Sequence, residues 1–213
     1  MSNPLFPSTH HPIKVYWSPV SGHAHRVTLF LSLLDIPFET ILVDLKKGEH
    51  KEADYLQKHP FGQVPMIDDN GTLIWDSNAI LVYLAKKYDG DNKWLPESPI
   101  EAAQVQQWLS VAANQLYNGP ATARVIKLLG RDLDYDLALA VSKKLLRVLE
   151  NELESRAFLI GETPSLADIA LYSYTFLAPE GEIDLTPYKH INAWLNRIEA
   201  LEGFLAMQLT PKA

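Results

Sequence analysis

Apolar positions in the first ninety residues switch between two periods. Residues 13–17 form a short β-rich run, and residues 22–34 then place Val27, Phe30, Leu31 and Leu34 at helical spacing until Asp35-Ile36-Pro37 ends the pattern. Residues 38–45 alternate enough to predict a second strand. Residues 49–58 are polar with Ala53 and Leu56 on one side, which predicts a short, mostly exposed helix broken by His59-Pro60-Phe61-Gly62. Residues 64–67 and 72–75 flank Asp68-Asp69-Asn70-Gly71, and that Asn-Gly pair predicts a hairpin. A third helix is predicted over 77–88, with Ile80, Leu81 and Leu84 inward. The order is βαβ followed by ββα.

The pattern changes after residue 88. Residues 89–98 are rich in Asp, Gly, Asn and Pro around an embedded Trp94-Leu95, which predicts a linker pinned at one point. Beyond it, strand signals disappear, and 100–129, 135–154, 165–177 and 188–201 all carry apolar residues at helical spacing. The expected organisation is an N-terminal extension over 1–12, an α/β domain over 13–88, the linker over 89–98 and an all-helical domain over 99–213.

Composition narrows the function. Apolar residues make up 47% of the 213 and charged ones 21%, an ordinary globular balance able to fill a core. The formal net charge is −7 and no basic run exceeds a pair, so no nucleic-acid footprint is expected. No apolar run approaches the roughly 20 residues that cross a bilayer, and residues 1–12 carry neither a basic nor an apolar signal stretch. A cytoplasmic protein that does not enter the membrane is expected. Cysteine is absent, which excludes disulfides, thiolate metal sites and cysteine nucleophiles, so any thiol chemistry takes its thiol from outside.

Several residues suit chemistry, each with a plainer use. A cis Val64-Pro65 bond would turn the Val64 N–H and C=O outward toward an extended peptide, while a trans Pro65 would simply start a strand. Asp76 suits an ammonium group, and Ser77 at a helix start suits a carboxylate, the plainer use being a cap formed by Ser77. Ser18 and Ser21 lie in the loop before the first helix, where a hydroxyl either caps the helix or donates to an anion. His10-His11 and His23-x-His25 lack a third ligand at a telling spacing, and no metal is assigned. Gly-x-Ser-x-Gly, Gly-x-Gly-x-x-Gly and Walker patterns do not occur. Thr163 to Asp168 resembles a capping box with Asp in place of Glu.

Taken in order, Gly48-Glu49-His50-Lys51, Pro60-Phe61-Gly62-Gln63-Val64-Pro65, Asp76-Ser77-Asn78-Ala79-Ile80 and the capping box of 165–168 resemble the cytosolic glutathione transferase family over about 13–201, most of all its serine-type, phi-like and related bacterial classes. The resemblance implies a thioredoxin-like N-terminal domain, an all-α C-terminal bundle and a homodimer, with glutathione as co-substrate, no cofactor, and a small hydrophobic electrophile as second partner. By it, Val64 with Pro65 meets the cysteinyl backbone, Asp76 and Ser77 the γ-glutamyl end, and His50, Lys51 and Gln63 the glycyl carboxylate. Ser21 falls where the hydroxyl faces sulfur, with Ser18 as fallback and His23 a remoter one. The electrophile is expected against Trp108, Ala112, Gln115 and Leu116, although Trp108 and Leu116 suit the bundle core equally. His59 stands where the family usually has asparagine, and residues 21–25 match no single class. Two other functions fit the same site: a glutathione-dependent peroxidase or disulfide reductase, and a binding module without turnover.

Overall fold

A computed structural model describes residues 11–210, so His10 of the His10-His11 pair and most of the N-terminal extension lie outside the described residues. The N-terminal unit comprises β1 (Ile13–Trp17), α1 (Gly22–Leu33), β2 (Phe38–Leu42), α2 (Ala53–Leu56), β3 (Met66–Asp69), β4 (Thr72–Trp75) and α3 (Ser77–Tyr88). The strands form one 4-stranded sheet in the order β2-β1-β3-β4. β1 and β2 run parallel from Ile13 opposite Phe38, whereas β3 is antiparallel to both β1 and β4. The hairpin turns at Asn70 and Gly71, both at positive φ, as the Asn-Gly pair requires.

Residues 49–58 do not make one helix. A 3₁₀ turn over Glu49–Lys51 precedes the single-turn α2, whose buried residue is Tyr55, while Leu56 stays exposed. Tyr55 wins because Val43 and Met66 form an apolar patch on the outer face of the sheet to receive it.

The helical unit follows the segment 89–98, where Trp94 packs edge-to-face on Phe30 and its carbonyl accepts from the Leu166 N–H. α4 (Pro99–Val111) runs into a π-helical stretch, Ala112–Ala121, and then α5 (Thr122–Leu129). The expected single helix over 100–129 is thus rewound in its middle, where Pro120 lacks the N–H an α-helical turn needs. α6 (Tyr135–Glu152), α7 (Leu166–Phe176) and α8 (Lys189–Glu199) complete the bundle.

α7 is the central helix, buried over nearly its whole length. Its start is a capping box: Ser165 Oγ accepts from the Ala167 N–H, and Asp168 accepts from the Ser165 N–H. α1 lies between sheet and bundle and is buried on most sides, so its first turn is gripped by both units. No helix among the described residues is long and apolar enough to cross a membrane.

Candidate functional site

Three chain segments converge at one end of the sheet: the first turn of α1, the approach to β3 and the start of α3. Between them lies a cleft of about 70 Å³ lined by His23, His59, Gln63, Val64, Pro65, Asp76 and Ser77. The Val64-Pro65 bond is cis and precedes β3 instead of lying in it. Neither the N–H nor the C=O of Val64 has a hydrogen-bond partner among the described residues, whereas the neighbouring Gln63 carbonyl accepts from Tyr55 Oη at 2.7 Å. The cleft wall therefore presents one unpaired peptide donor and acceptor, the pair an extended peptide backbone needs.

Capping of α3 falls to Asp76 and not to Ser77. Asp76 adopts φ 70° and ψ 121°, which swings its carboxylate over the first turn, where Oδ1 accepts from the Ala79 N–H at 2.9 Å. Oδ2 has no partner among the described residues and remains open to a cation. Ser77, now the first helical residue, turns inward and is buried. Its Oγ accepts from Arg26 Nη1 at 2.8 Å and lies 3.4 Å from His23 Nδ1.

Arg26 is a group that the sequence patterns do not single out. It sits 1% exposed on α1; Nη1 also donates to Asn78 Oδ1, while Nε and Nη2 have no partner among the described residues. Burial lowers its pKa to about 10, opposed by Tyr174 and Asp76, so it stays cationic near neutral pH. A fixed positive charge thus underlies Ser77, a setting that favours a carboxylate on the cleft side. An arginine within the apolar helix pattern of 24–31 was the available signal for it.

His50 and Lys51 border this region from the 3₁₀ turn. Lys51 Nζ donates to the carbonyls of Phe61 and Gly62 at 3.0 and 2.9 Å, so two of its three N–H groups already close the loop before the cleft. Gly62, at φ 54°, lies so close to the His50 carbonyl that no side chain fits there. His50 Nδ1 is buried without a partner among the described residues, and burial, reinforced by the charges of Lys51 and Arg131, holds the ring below the usual histidine pKa. His59, the departure from the family pattern, is buried in the cleft wall and stacks on Trp75 at 5.2 Å.

Ser21 is the N-cap of α1, its Oγ accepting from the Ala24 N–H at 3.2 Å. Capping uses only an acceptor lone pair, so the hydroxyl proton remains available. Ser18 is buried behind it, and its carbonyl accepts from the Ser21 N–H at 3.0 Å. His23 packs edge-to-face on Tyr174 at 4.9 Å and lies 6.0 Å from Tyr117. Burial, with the Arg26 charge second, drives its pKa down to about 3, so it is neutral and offers no positive charge. His25 faces elsewhere, toward Ser173 and Leu205, so the two histidines do not share a ligand site.

Tyr174 of α7 is a second residue that the sequence patterns do not single out. The N–H groups of Gly22 and His23 lie against its phenol oxygen; burial raises its pKa, while the charges of Arg124 and Arg26 and those N–H groups oppose the rise. Its ring explains Gly22, since a Cβ there would stand 2.9 Å from Tyr174 Cζ.

The residues expected around an electrophile are not brought to this cleft. Trp108 and Gln115 line a separate cavity of about 370 Å³ between α4 and α6, with Lys144, Leu145 and Val148, while Ala112 and Leu116 are fully buried. Tyr117, which meets His23, sits in the π-helical stretch two residues after Gln115 and does not line that cavity. Helical spacing fixes which residues share a face, not which neighbour that face meets.

The sheet, the cis turn and the helical bundle together define the glutathione transferase fold. The pattern described as "Glutathione S-transferase, N-terminal domain" matches residues 11–86, and that described as "Glutathione S-transferase, C-terminal domain" matches 131–202. The chain is 33% identical over 196 residues to "Glutathione S-transferase F10" of Arabidopsis thaliana, covering 86% of this chain and 91% of that protein. It is 32% identical over 204 residues to "Glutathione S-transferase 3" of Zea mays, covering 91% of each. A crystal structure of a glutathione S-transferase from Pseudomonas fluorescens superposes with a TM-score of 0.87 at 35% identity, over 92% of this chain and 99% of that one. The chain belongs to the glutathione S-transferase family.

Proposed function

We propose that the protein is a cytoplasmic glutathione transferase that holds glutathione along the cleft and presents its thiolate, beside Ser21, to a small hydrophobic electrophile. The supporting observation is that the unpaired peptide of Val64 and the Asp76-Ser77 pair over buried Arg26 line one narrow opening with His23, two residues along from Ser21, the N-cap of α1. In this reading the free Asp76 oxygen takes the γ-glutamyl ammonium and the Ser77 hydroxyl its carboxylate. Val64 pairs with the cysteinyl backbone, and His50, Lys51 and Gln63 meet the glycyl end. Lys51 does so with its one uncommitted N–H.

A free thiol with a pKa of about 8.5 is only about 3% ionised at neutral pH, so supply of thiolate limits attack on the electrophile. Lowering that pKa by about two units requires about 2.7 kcal/mol in favour of the anion. A charge-assisted hydrogen bond from Ser21 at a helix N-terminus is of that size. Ser21 then acts as donor, neither nucleophile nor base. Absorbance titration of bound glutathione tests this: Ser21→Ala raises the thiolate midpoint by about one pH unit or more, and a wild-type midpoint removes Ser21 from the reaction.

A homodimer is part of the same reading. Phe61, 63% exposed, meets Trp75 edge-to-face, an apolar surface that a second copy would cover. Sedimentation is expected to give twice the 24.0 kDa chain mass, and a monomer at micromolar concentration refutes the dimer.

A further inference from the structure

The last described stretch of chain runs back along α1 toward the cleft. Near the end of the helix, Ser32 Oγ donates to the Gly203 carbonyl at 2.6 Å. In its first turn, His25 Nε2 lies 2.8 Å from the Leu205 carbonyl and Nδ1 2.9 Å from Ser173 Oγ. The carbonyl can only accept, so Nε2 carries the proton and Nδ1 accepts from Ser173. Met207, buried, fills the stretch between.

At Thr210 this stretch joins two other parts of the chain around one side chain. Arg124 of α5 is nearly fully buried; Nε donates to Glu180 Oε2 at 2.6 Å, Nη2 to Thr210 Oγ1 at 2.9 Å and Nη1 to the Val20 carbonyl at 2.8 Å. Glu180 in turn accepts from the Thr210 N–H at 2.6 Å and from its hydroxyl at 3.1 Å. Gly181 makes this possible: a Cβ there would stand 2.8 Å from the Arg124 nitrogen, so only glycine lets the Glu180 turn approach α5 so closely.

The Val20 carbonyl belongs to the peptide unit whose N–H is that of Ser21. That N–H donates to the Ser18 carbonyl at 3.0 Å while the carbonyl is held by Arg124, so both ends of one planar unit are fixed. The plane's orientation sets the direction in which the Ser21 side chain leaves the loop.

We propose that Arg124 is a positioning residue for Ser21, and that the C-terminal stretch through Thr210 sets its grip through the Arg124–Glu180–Thr210 clasp. This rests on the reading of Ser21 as the donor to the glutathione thiolate. A planar fork with three differently placed acceptors is a task that lysine cannot perform. Loosening any acceptor lets the guanidinium turn and the Val20-Ser21 plane with it.

The test measures the thiolate midpoint of bound glutathione, its Kd, and kcat/KM against pH in the full-length enzyme. Thr210→Val removes only a hydroxyl from a near-surface residue and leaves the backbone bond to Glu180. It is expected to raise the midpoint by about half a pH unit, lowering kcat/KM about threefold at pH values below the midpoint, with glutathione Kd unchanged. Thr210→Ser restores the midpoint, Arg124→Lys shifts it further in the same direction, and Thr210→Val adds nothing in a Ser21→Ala background. A wild-type midpoint in both Thr210→Val and Arg124→Lys, while Ser21→Ala still shifts it, overturns the clasp alone. An unmoved midpoint in Ser21→Ala overturns the serine reading instead. A Thr210→Val shift that persists in the Ser21→Ala background overturns the route through Ser21.

Discussion

Asp168 lies 0% exposed at the head of α7 and is shared by three elements; burial raises its carboxyl pKa, opposed by the hydrogen bonds it accepts. Oδ1 accepts from the Leu159 N–H and Trp194 Nε1, both at 2.9 Å; Oδ2 accepts from the Ser165 N–H at 2.9 Å and its hydroxyl at 3.0 Å. Asp168→Asn keeps the shape but replaces one acceptor by an NH₂. With the amide oxygen kept toward Leu159 and Trp194, the NH₂ faces the Ser165 N–H, and only the Ser165 hydroxyl can turn to accept from it. One hydrogen bond to a charged acceptor is lost at about 1.5–3 kcal/mol, the other three weaken on losing the charge, and a buried N–H is left unpaired at about 1–3 kcal/mol. Relief of carboxylate desolvation opposes these losses. Burial still raises the carboxyl pKa against these four donors, so the relief offsets part of the loss and the net is about 2 kcal/mol, a sizeable share of a typical 5–15 kcal/mol. Urea unfolding at one fixed protein concentration reads it as a lower midpoint with unchanged slope. Wild-type stability in Asp168→Asn refutes the reasoning, because desolvation would then cancel all that the four donors contribute.

Other expectations follow from the same contacts. His25 and His23 are held neutral, with pKa values pushed down to about 4 and about 3, so the unfolded chain binds more protons below pH 6.5. Their contribution to stability is complete above pH 6.5 and is lost as pH falls toward those values, by up to about 3 kcal/mol for His25. His25→Gln should flatten the fall in unfolding free energy between pH 6.5 and 4, and an identical slope contradicts it. Gly22→Ala improves helix propensity but drives a methyl into the Tyr174 ring, so it should destabilise by about 1–3 kcal/mol and reduce turnover. Gly22→Ala with Tyr174→Ala should recover part of the turnover, whereas no recovery means that the ring is not the obstacle.

Much of the architecture is legible in the chain because local chemistry decides it. The Asn-Gly turn, the change from period two to helical spacing after residue 88 and the Ser165–Asp168 box each name their own structure. The failures have physical causes as well. Pro120 sits inside a helix because a π-helical stretch accommodates it, and propensity within a window does not anticipate that rewinding. Asp76 takes the cap from Ser77 because its backbone enters the positive-φ region, which only the β4–α3 junction imposes. Trp108 and Gln115 share a face as their spacing indicates, but the neighbour of that face is α6, a tertiary fact. Arg26, Arg124 and Tyr174 are the residues hardest to foresee, since each reaches the cleft region from an apolar helix and acquires its role only from partners far along the chain.

One glutathione molecule is expected in this cleft with its sulfur beside Ser21. Calorimetric titration with glutathione at pH 6.5, repeated with S-methylglutathione, decides whether it binds so. Saturable one-site binding per chain is expected, accompanied by proton release with glutathione and none with the methylated thiol. Absence of heat and saturation at millimolar glutathione, or equal proton release by both ligands, contradicts it.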